Sequence, residues 1–428
     1  MKHCQNFFAY FFLFFALSFF AAAQTLSADE RKIAAAVDAG NEQLISFLER
    51  TVNIESPTEN TAGVREVGMI FKKELEALGF AARWIEMPPE MKRAGHLIAE
   101  KKGNGQGKRV LLLGHLDTVL RGERFRREGR LAYGTGTSDM KAGNAVLLYA
   151  LKALHASGAL KDAHVTVFLT GDEENSGEPV AESRREMIEA AKRSDLVLSF
   201  ENGGSGIATV ARRGISDWTL EVEARTGHSS GIFRESMGAG AVFEAARIVN
   251  EFYETLRQEK YLTFNPSLFV GGTEAAVSEF SGTASGKTNV VAARAVVRGD
   301  LRFISREQEE AARAKMREIV SRNLPGATAK ITFFDGIPAM APTEANYAIL
   351  KQLDEVSRSL GFGEIKPLDP GERGAGDISY VTHLIPGLDG LGAIGGRAHA
   401  PGEFVELDSL AQQTKRAAVL IYRLTKGN

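Results

Sequence analysis

The stretch Arg109-Val-Leu-Leu-Leu-Gly-His115-Leu-Asp117 is an apolar run that ends on a histidine and, two residues later, an aspartate. Similar apolar segments precede Glu173 and Glu201 further along the chain. Short apolar runs of this length are typical of buried parallel strands. Because ligands bind at the carboxyl ends of the strands in open α/β sheets, we expect these acids and the histidine to meet at one sheet edge. The pattern predicts a metal site there.

Helices and strands alternate around this stretch. Helical spacing of apolar residues predicts helices over Ser27–Arg50, Ala62–Leu78, Ala142–Ser157, Pro179–Arg193 and Leu407–Leu424. Strands are predicted over Ala81–Glu86, Leu97–Lys101, Val165–Thr170 and Leu196–Phe200. This alternation predicts an α/β catalytic domain with a mostly parallel sheet and helices on both faces.

The pattern changes after Arg213. Residues 218–224 alternate between apolar and polar side chains, which predicts a half-exposed strand. Two long helices, over 239–256 and 306–324, then alternate with further strands. Two helices on one face of an antiparallel sheet form the split βαβ, ferredoxin-like arrangement. We therefore predict an inserted α+β domain over 213–337, between catalytic segments 24–212 and 338–428.

The N-terminus carries an export signal. Lys2 and His3 precede an apolar run from Phe7 to Phe20, and three alanines follow it. This pattern is typical of a signal peptide, here 1–23, that directs a protein to the periplasm or the outside. The alternative is an uncleaved membrane anchor. We predict no stable membrane span after removal of the signal.

Overall composition excludes several classes of function. The formal charge of −2 on 428 residues gives no reason to expect nucleic acid as a partner. The single cysteine, Cys4, lies in the signal segment. The mature chain therefore has no thiol for metal binding or catalysis and no disulfide.

Each candidate metal ligand also has an ordinary interpretation. Asp139 precedes a predicted helix and could simply cap it. Glu173 and Glu174 could be solvated loop acids, and Glu201 could be a surface acid at a strand end. His399 lies in the loop Gly395-Gly-Arg-Ala-His-Ala-Pro-Gly-Glu, where it could be a loop histidine. Their joint occurrence in one α/β frame favours a metal site.

The chemistry of this donor set narrows the metal. Two histidines and three acids offer nitrogen and oxygen ligands, which suit Zn²⁺, Mn²⁺ or Co²⁺ in a hydrolytic site. Five ligands are too many for one catalytic ion that keeps an open position. They suit two ions about 3.5–4 Å apart that share a carboxylate and a water. Of the adjacent acids Glu173 and Glu174, one can bind metal while the other acts as a base.

Five motifs together resemble the co-catalytic zinc amidohydrolase and exopeptidase family. They are Gly114-His-Leu-Asp-Thr, Gly136-Thr-Ser-Asp-Met-Lys, Asp172-Glu-Glu-Asn-Ser-Gly, Ser199-Phe-Glu and Arg397-Ala-His-Ala-Pro. The family contains glutamate carboxypeptidase, acetylornithine deacetylase, succinyl-diaminopimelate desuccinylase and aminoacylase. The motifs occur in the family's order over the whole mature chain, and the likeness is nearest to the secreted glutamate carboxypeptidase type.

The resemblance implies a role for each matching residue. His115 and Glu201 would hold one zinc, Glu174 and His399 the other, and Asp139 would bridge the two. Glu173 would be the general base, and Asp117 would orient His115. A cis peptide bond is implied between Asp139 and Met140.

The resemblance also assigns functions to the inserted domain, as a lid and as the surface of a homodimer. His228 would reach the active site of the partner subunit and stabilise the oxyanion. Asn289 and Arg302 match lid positions that bind the substrate, and Gly374 and Gly376 match a glycine-rich loop that lines the pocket.

The implied reaction is hydrolysis of an amide bond next to a free carboxylate, in a small peptide or an N-acyl amino acid. Ile207 and Ile337 stand where glutamate-releasing members carry basic residues, so glutamate as the released residue is in doubt and an apolar residue is at least as plausible. Two alternatives stay open: an aminopeptidase that acts on free N-termini, and a catalytically silent metal-binding homologue.

Overall fold

A computed structural model describes residues 25–103, 106–278 and 280–427. The predicted signal peptide, 1–23, lies outside these residues. Within the described ranges, no helix is both long enough and apolar enough to cross a membrane.

The helices and strands follow the sequence pattern closely. The α-helices span Ala28–Val52, Thr61–Ala77, Ala142–Ala156, Val180–Ser183, Arg185–Lys192, Ala241–Leu256, Arg306–Val320, Glu344–Ser359 and Leu407–Thr425. The strands of three or more residues span Ala81–Ile85, His96–Lys101, Arg109–His115, Arg126–Glu128, Leu131–Tyr133, His164–Thr170, Leu196–Ser199, Gly214–Ala224, Thr263–Gly272, Glu274–Val277, Gly282–Ser285, Arg294–Phe303, Ala327–Asp335 and Phe404–Glu406.

Two helix predictions need correction. The helix predicted over 179–193 is two helices, because Arg184, with φ −88° and ψ −2°, separates them. The helix predicted to reach 324 ends at Val320. The first helix begins as expected, since the Ser27 hydroxyl accepts from the Glu30 backbone N–H and the Glu30 carboxylate accepts from the Ser27 N–H.

The α/β prediction is confirmed. The main sheet has six strands, and three of its five strand pairings are parallel. Strands 109–115, 164–170, 196–199 and 387–388 run parallel, whereas 81–85 and 96–101 add to the edge in antiparallel pairings. Parallel neighbours require a long crossover connection. The segment between Ile85 and His96 is too short to supply one, so these strands turn back on each other.

Helices cover both faces of the main sheet. On one face, the N-terminal, Ala142–Ala156 and C-terminal helices pack on the buried side chains of the strands. On the other face, Arg185–Lys192 contributes Met187, Ala190 and Ala191 to a second apolar cluster. The two layers hold the parallel strands in register, so that their carboxyl ends lie at one edge.

The inserted segment forms a four-stranded antiparallel sheet in the order 263–272, 294–303, 214–224, 327–335. In chain order this is 2-3-1-4, the arrangement of the predicted split βαβ unit. Alternate residues of the Gly214–Ala224 strand, such as Trp218 and Leu220, are buried beneath the helices Ala241–Leu256 and Arg306–Val320. We refer to this unit as the lid.

The chain crosses between the main sheet and the lid at two adjacent segments. Backbone hydrogen bonds join Arg212 to Met340 in both directions at 3.0 Å, and the Ile215 N–H donates to the Ile337 carbonyl at 2.9 Å. The lid sheet begins at Gly214 and ends at Asp335. The boundaries at 213 and 337 stay a prediction, because the backbone pairing of these two segments continues on both sides of them.

Candidate metal centre

Three neighbouring parallel strands deliver the candidate ligands. His115 is the last residue of its strand, Glu173 and Glu174 follow the strand that ends at Thr170, and Glu201 follows the strand that ends at Ser199. Since these strands are adjacent in the sheet, their side chains meet at one edge. The expected convergence is therefore present.

The ligand atoms fall into two triads that share one carboxylate. His115, Asp139 and Glu201 form the first triad, and Asp139, Glu174 and His399 form the second. His115 Nε2 lies 3.1 Å from Asp139 Oδ1, and His399 Nε2 lies 3.1 Å from Asp139 Oδ2 and from Glu174 Oε2. The two oxygens of Asp139 thus face opposite triads. The Asp139–Met140 peptide bond is cis, as the resemblance implies.

The tautomer of His115 is fixed by its other ring nitrogen. Nδ1 lies 3.0 Å from the backbone carbonyl oxygen of Asp117. A carbonyl oxygen only accepts, so Nδ1 carries a proton, which leaves Nε2 as the ring nitrogen that would bind an ion.

Asp117 has a wider role than the sequence predicts. The strand ends at His115, and the carboxylate of Asp117 lies 3.5 Å from the His115 ring nitrogen, farther than its own carbonyl oxygen. The carboxylate instead accepts from the backbone N–H groups of Glu173 and Glu174, each at 3.1 Å, and from the Thr58 hydroxyl at 2.7 Å. It therefore positions the turn that carries both glutamates.

The electrostatics of the site call for cations. Burial, together with repulsion from neighbouring acids, raises the pKa of Glu201 to about 7 and the pKa of Glu173 well above its usual range. Hydrogen bonds to Asp139 and Glu174 raise the pKa of His399 to about 10. Packed carboxylates of this kind hold protons unless a positive ion neutralises them.

One oxygen in the second triad is left without a partner. Glu174 Oε1 is buried and makes no hydrogen bond to any described residue. A buried carboxylate oxygen without a partner is costly. Together with the orientation of His115 Nε2 toward Asp139 and a donor set of nitrogen and oxygen atoms, this atom shows that the residues fit metal ions.

Glu403 is the last residue of the loop that carries His399, and its role was not predicted from the sequence. Its buried carboxylate accepts from the backbone N–H groups of Gly136 and Ser138 at 2.7 Å and of Asp139 at 2.8 Å. The loop that presents Asp139 is thus held by an acid four residues after His399. An acid in a Gly/Pro loop is the only signal in the sequence, and it does not identify a distant backbone as the partner.

The glycine-rich loop lies beside the centre and is held in place through Asp377. Asp377, at its end, accepts from the Thr170 hydroxyl at 2.5 Å and pairs with Arg184 at 2.8 Å. A Cβ added to Gly376 would lie 2.1 Å from the Arg212 guanidinium, so a side chain does not fit there. Gly374 meets no such neighbour.

The predicted lid residues separate into two groups. His228 and Asn289 lie together and exposed, with the Ser229 N–H donating to the Asn289 carbonyl at 2.9 Å. Arg302 pairs with Asp300 at the opposite end of its strand, next to Ile215 and the junction. At about 3.3 Å per residue, roughly 25 Å of strand separates Arg302 from the end near Asn289. One protomer therefore does not bring these residues to the same substrate.

The comparison with protein families settles the class of protein. Residues 111–423 match the model of peptidase family M20/M25/M40. The chain belongs to this family. It is a metallohydrolase of the peptidase and amidohydrolase type, and the predicted family is confirmed.

Individual relatives agree with this assignment. Carboxypeptidase G2 from Pseudomonas sp. (strain RS-16) is 29% identical over 403 residues, which cover 90% of each chain. Succinyl-diaminopimelate desuccinylase from Delftia acidovorans is 25% identical over 296 residues, 65% of this chain and 73% of the relative. The crystal structure of aminopeptidase PepT from Bacillus cereus superposes with a TM-score of 0.72 at 20% identity, covering 90% of this chain and 98% of that one. At this identity, the last likeness shows the fold alone.

We predict that Glu403→Gln weakens metal binding by tenfold or more. An amide nitrogen replaces one acceptor oxygen, so at least one buried N–H near Asp139 loses its partner, at a cost of about 1–3 kcal/mol. Competition with a fluorescent chelator measures the affinity, and Glu406→Gln, an exposed acid on the neighbouring strand, is the control. If Glu403→Gln lowers the melting temperature but leaves the metal affinity unchanged, then Glu403 does not support the metal centre.

Proposed function

We propose that this protein is an exported, homodimeric enzyme that binds two zinc ions per subunit and hydrolyses an amide bond next to a free carboxylate. Its substrates are small peptides or N-acyl amino acids. The observation that carries the proposal is the shared carboxylate of Asp139, with Glu173 beside both triads. Co²⁺ or Mn²⁺ could occupy the same ligand set.

The two ions, when bound, polarise the substrate carbonyl and lower the pKa of the attacking water. His115 and Glu201 would hold one ion, Glu174 and His399 the other, and Asp139 both. The remaining chemistry belongs to the chain's own side chains. A second candidate, the silent homologue, has no observation in its favour, since the base and all five ligands are in place.

Glu173 is the proposed general base. Its backbone N–H is held by Asp117, so the side chain is directed from a fixed turn. Its carboxylate accepts a proton from the attacking water and returns it to the leaving nitrogen. Burial raises the pKa of Glu173, which suits a group that must hold a proton between these two events.

The substrate-binding residues would come from two subunits. Arg302 lies at the junction end of its own lid, and we assign it to the substrate carboxylate. His228 and Asn289 lie at the far end, and we assign them to the active site of the partner, where His228 stabilises the oxyanion. The distance along the strand is the support for this division. Gly374 and Gly376 would line the pocket with backbone only.

An apolar surface on the lid supports the proposed homodimer. Its helix Ala241–Leu256 and edge strand Thr263–Gly272 border an apolar groove of about 560 Å³. Phe243, Tyr253 and Phe269, on these two elements, are 54%, 51% and 40% exposed. Large exposed apolar patches mark interaction sites. An unpaired strand edge next to them is suited to pairing with a second copy.

Export rests on the sequence of the first 23 residues and on the absence of cysteine from the rest of the chain. A cysteine-free mature chain folds without hazard in an oxidising compartment. We propose that the protein acts in the periplasm or outside the cell.

The reaction is tested with three forms of one dipeptide: free, N-acetylated and C-amidated. We expect the metal-loaded protein to cleave the free and N-acetylated forms, because the pocket binds the carboxylate, and to lose activity on the amide by a hundredfold or more. Mass spectrometry with and without chelator gives the products. Cleavage of the amide but not of the N-acetyl form would contradict the proposal and establish the aminopeptidase.

The division of the site between subunits is tested by complementation. We expect Glu173→Gln and His228→Ala each to lose turnover by orders of magnitude while keeping their metals. Mixed and refolded together, they form heterodimers with one intact site, so up to about a quarter of wild-type activity returns by random pairing in a two-fold dimer. A mixture no more active than its parts would place His228 outside the partner's site.

A further inference from the structure

Arg373 is a half-buried arginine near the metal centre, where Arg184 and Arg212 are buried. It lies between the turn Pro370–Glu372 and the glycine-rich loop. Its Nη1 donates to the Asn202 side-chain oxygen at 2.6 Å, and its Nη2 donates to the Asn202 backbone carbonyl at 2.7 Å. Asn202 directly follows the candidate ligand Glu201, so the guanidinium is tied to the edge of the centre.

The charge of Arg373 has no partner of opposite sign. Arg184 pairs with Asp172 and Asp377, and Arg212 pairs with Asp389, but across the described ranges no carboxylate lies within ion-pair distance of Arg373. Its Nε is buried and makes no hydrogen bond to a described residue. Burial and the neighbouring Arg212 hold the pKa of Arg373 below its ordinary value. Burying the N–H of a charged group without a partner is costly, and a bound anion would remove that cost.

A cavity of about 80 Å³ opens at this guanidinium. Arg373, Asn202 and Ile207 line it, together with backbone of Gly203, Gly204 and Gly390. One water takes a share of about 30 Å³ of liquid volume, so the cavity has room for a group as small as a carboxylate. Ala208, Thr209 and Leu368 complete the lining, so Arg373 is its one charged group among the described residues.

We propose that Arg373 binds a second carboxylate of the substrate, distinct from the one next to the scissile amide. The proposal rests on the amide hydrolysis proposed above. Arginine presents parallel N–H donors that match a carboxylate in geometry and charge. Ile207 and Ile337 occupy the positions where the family resemblance leads us to expect basic residues. Arg373, which lies on a different loop, places a cation beside Ile207 in the wall of this cavity.

Two parts of a substrate could carry this second carboxylate. One is the acidic side chain of the released amino acid, and the other is the distal end of a dicarboxylic acyl group. The two sources share the chemistry that Arg373 recognises, and matched substrates separate them. The pairs are N-acetyl-glutamate with N-acetyl-glutamine, and N-succinyl-leucine with N-succinamoyl-leucine, in each of which an amide replaces the carboxylate at almost unchanged size.

The test compares kcat/KM of the wild type, Arg373→Met and Arg373→Lys on both pairs. We expect the wild type to prefer the charged member of one pair. Arg373→Met should reduce that preference about tenfold to a hundredfold, because kcat/KM falls more for the charged member than for the uncharged one when a charged hydrogen bond is lost. Arg373→Lys should retain part of the preference, because it keeps the charge but not the paired donors. Lys351→Met, which removes an exposed cation from the helix Glu344–Ser359, is the control.

Binding of glutarate, measured by calorimetry against butyrate, separates this proposal from the proposed reaction. We expect the metal-loaded wild type to bind glutarate at least tenfold more tightly than butyrate, and Arg373→Met to lose that difference, whether or not any amide is cleaved. Equal losses on charged and uncharged ligands would show that Arg373 only supports Asn202. A wild type with no preference for the second carboxylate, in binding and in turnover, would overturn the proposal.

Discussion

The structure depends on the crowding of carboxylates at one edge of a sheet. Three adjacent parallel strands end within reach of one another, and each delivers acidic or imidazole side chains to the same few ångströms. Like charges at this spacing repel, and burial adds to the cost. The fold tolerates the arrangement because positive ions complete it. The two helical layers that hold the strands in register supply the apolar burial that balances it.

The supports of the centre are built from backbone hydrogen bonds. Asp117 holds the turn of Glu173 and Glu174, and Glu403 holds the loop of Asp139. In each case one buried carboxylate fixes two or more N–H groups and thereby fixes where a neighbouring carboxylate points. Precise positioning of the ligands therefore comes from acids that are not ligands. Their negative charge adds to the need for cations in the centre.

The sequence predicted those features that local patterns encode. Apolar runs and helical spacing predicted most of the long elements, but not the helix Glu344–Ser359 or short strands such as Glu274–Val277. The motifs named the residues that the structure brings together as two triads. The antiparallel edge of the main sheet was missed, because strand direction depends on the length of a connection. The roles of Glu403 and Arg373 were missed because each acts on a segment distant in sequence, and neither has a periodic or motif signal. The sequence does not show that His228 and Arg302 lie near opposite ends of a lid strand, because that separation depends on the full length of the strand.

Anomalous diffraction at the zinc edge, from crystals of the mature chain grown with zinc, tests the central claim most directly. A centre with two zinc ions would give two anomalous peaks per subunit, one on each side of Asp139. His115 and Glu201 would lie at the first peak, and Glu174 and His399 at the second. A single peak, or two peaks that do not share Asp139, would contradict the two-metal centre and the mechanism built on it.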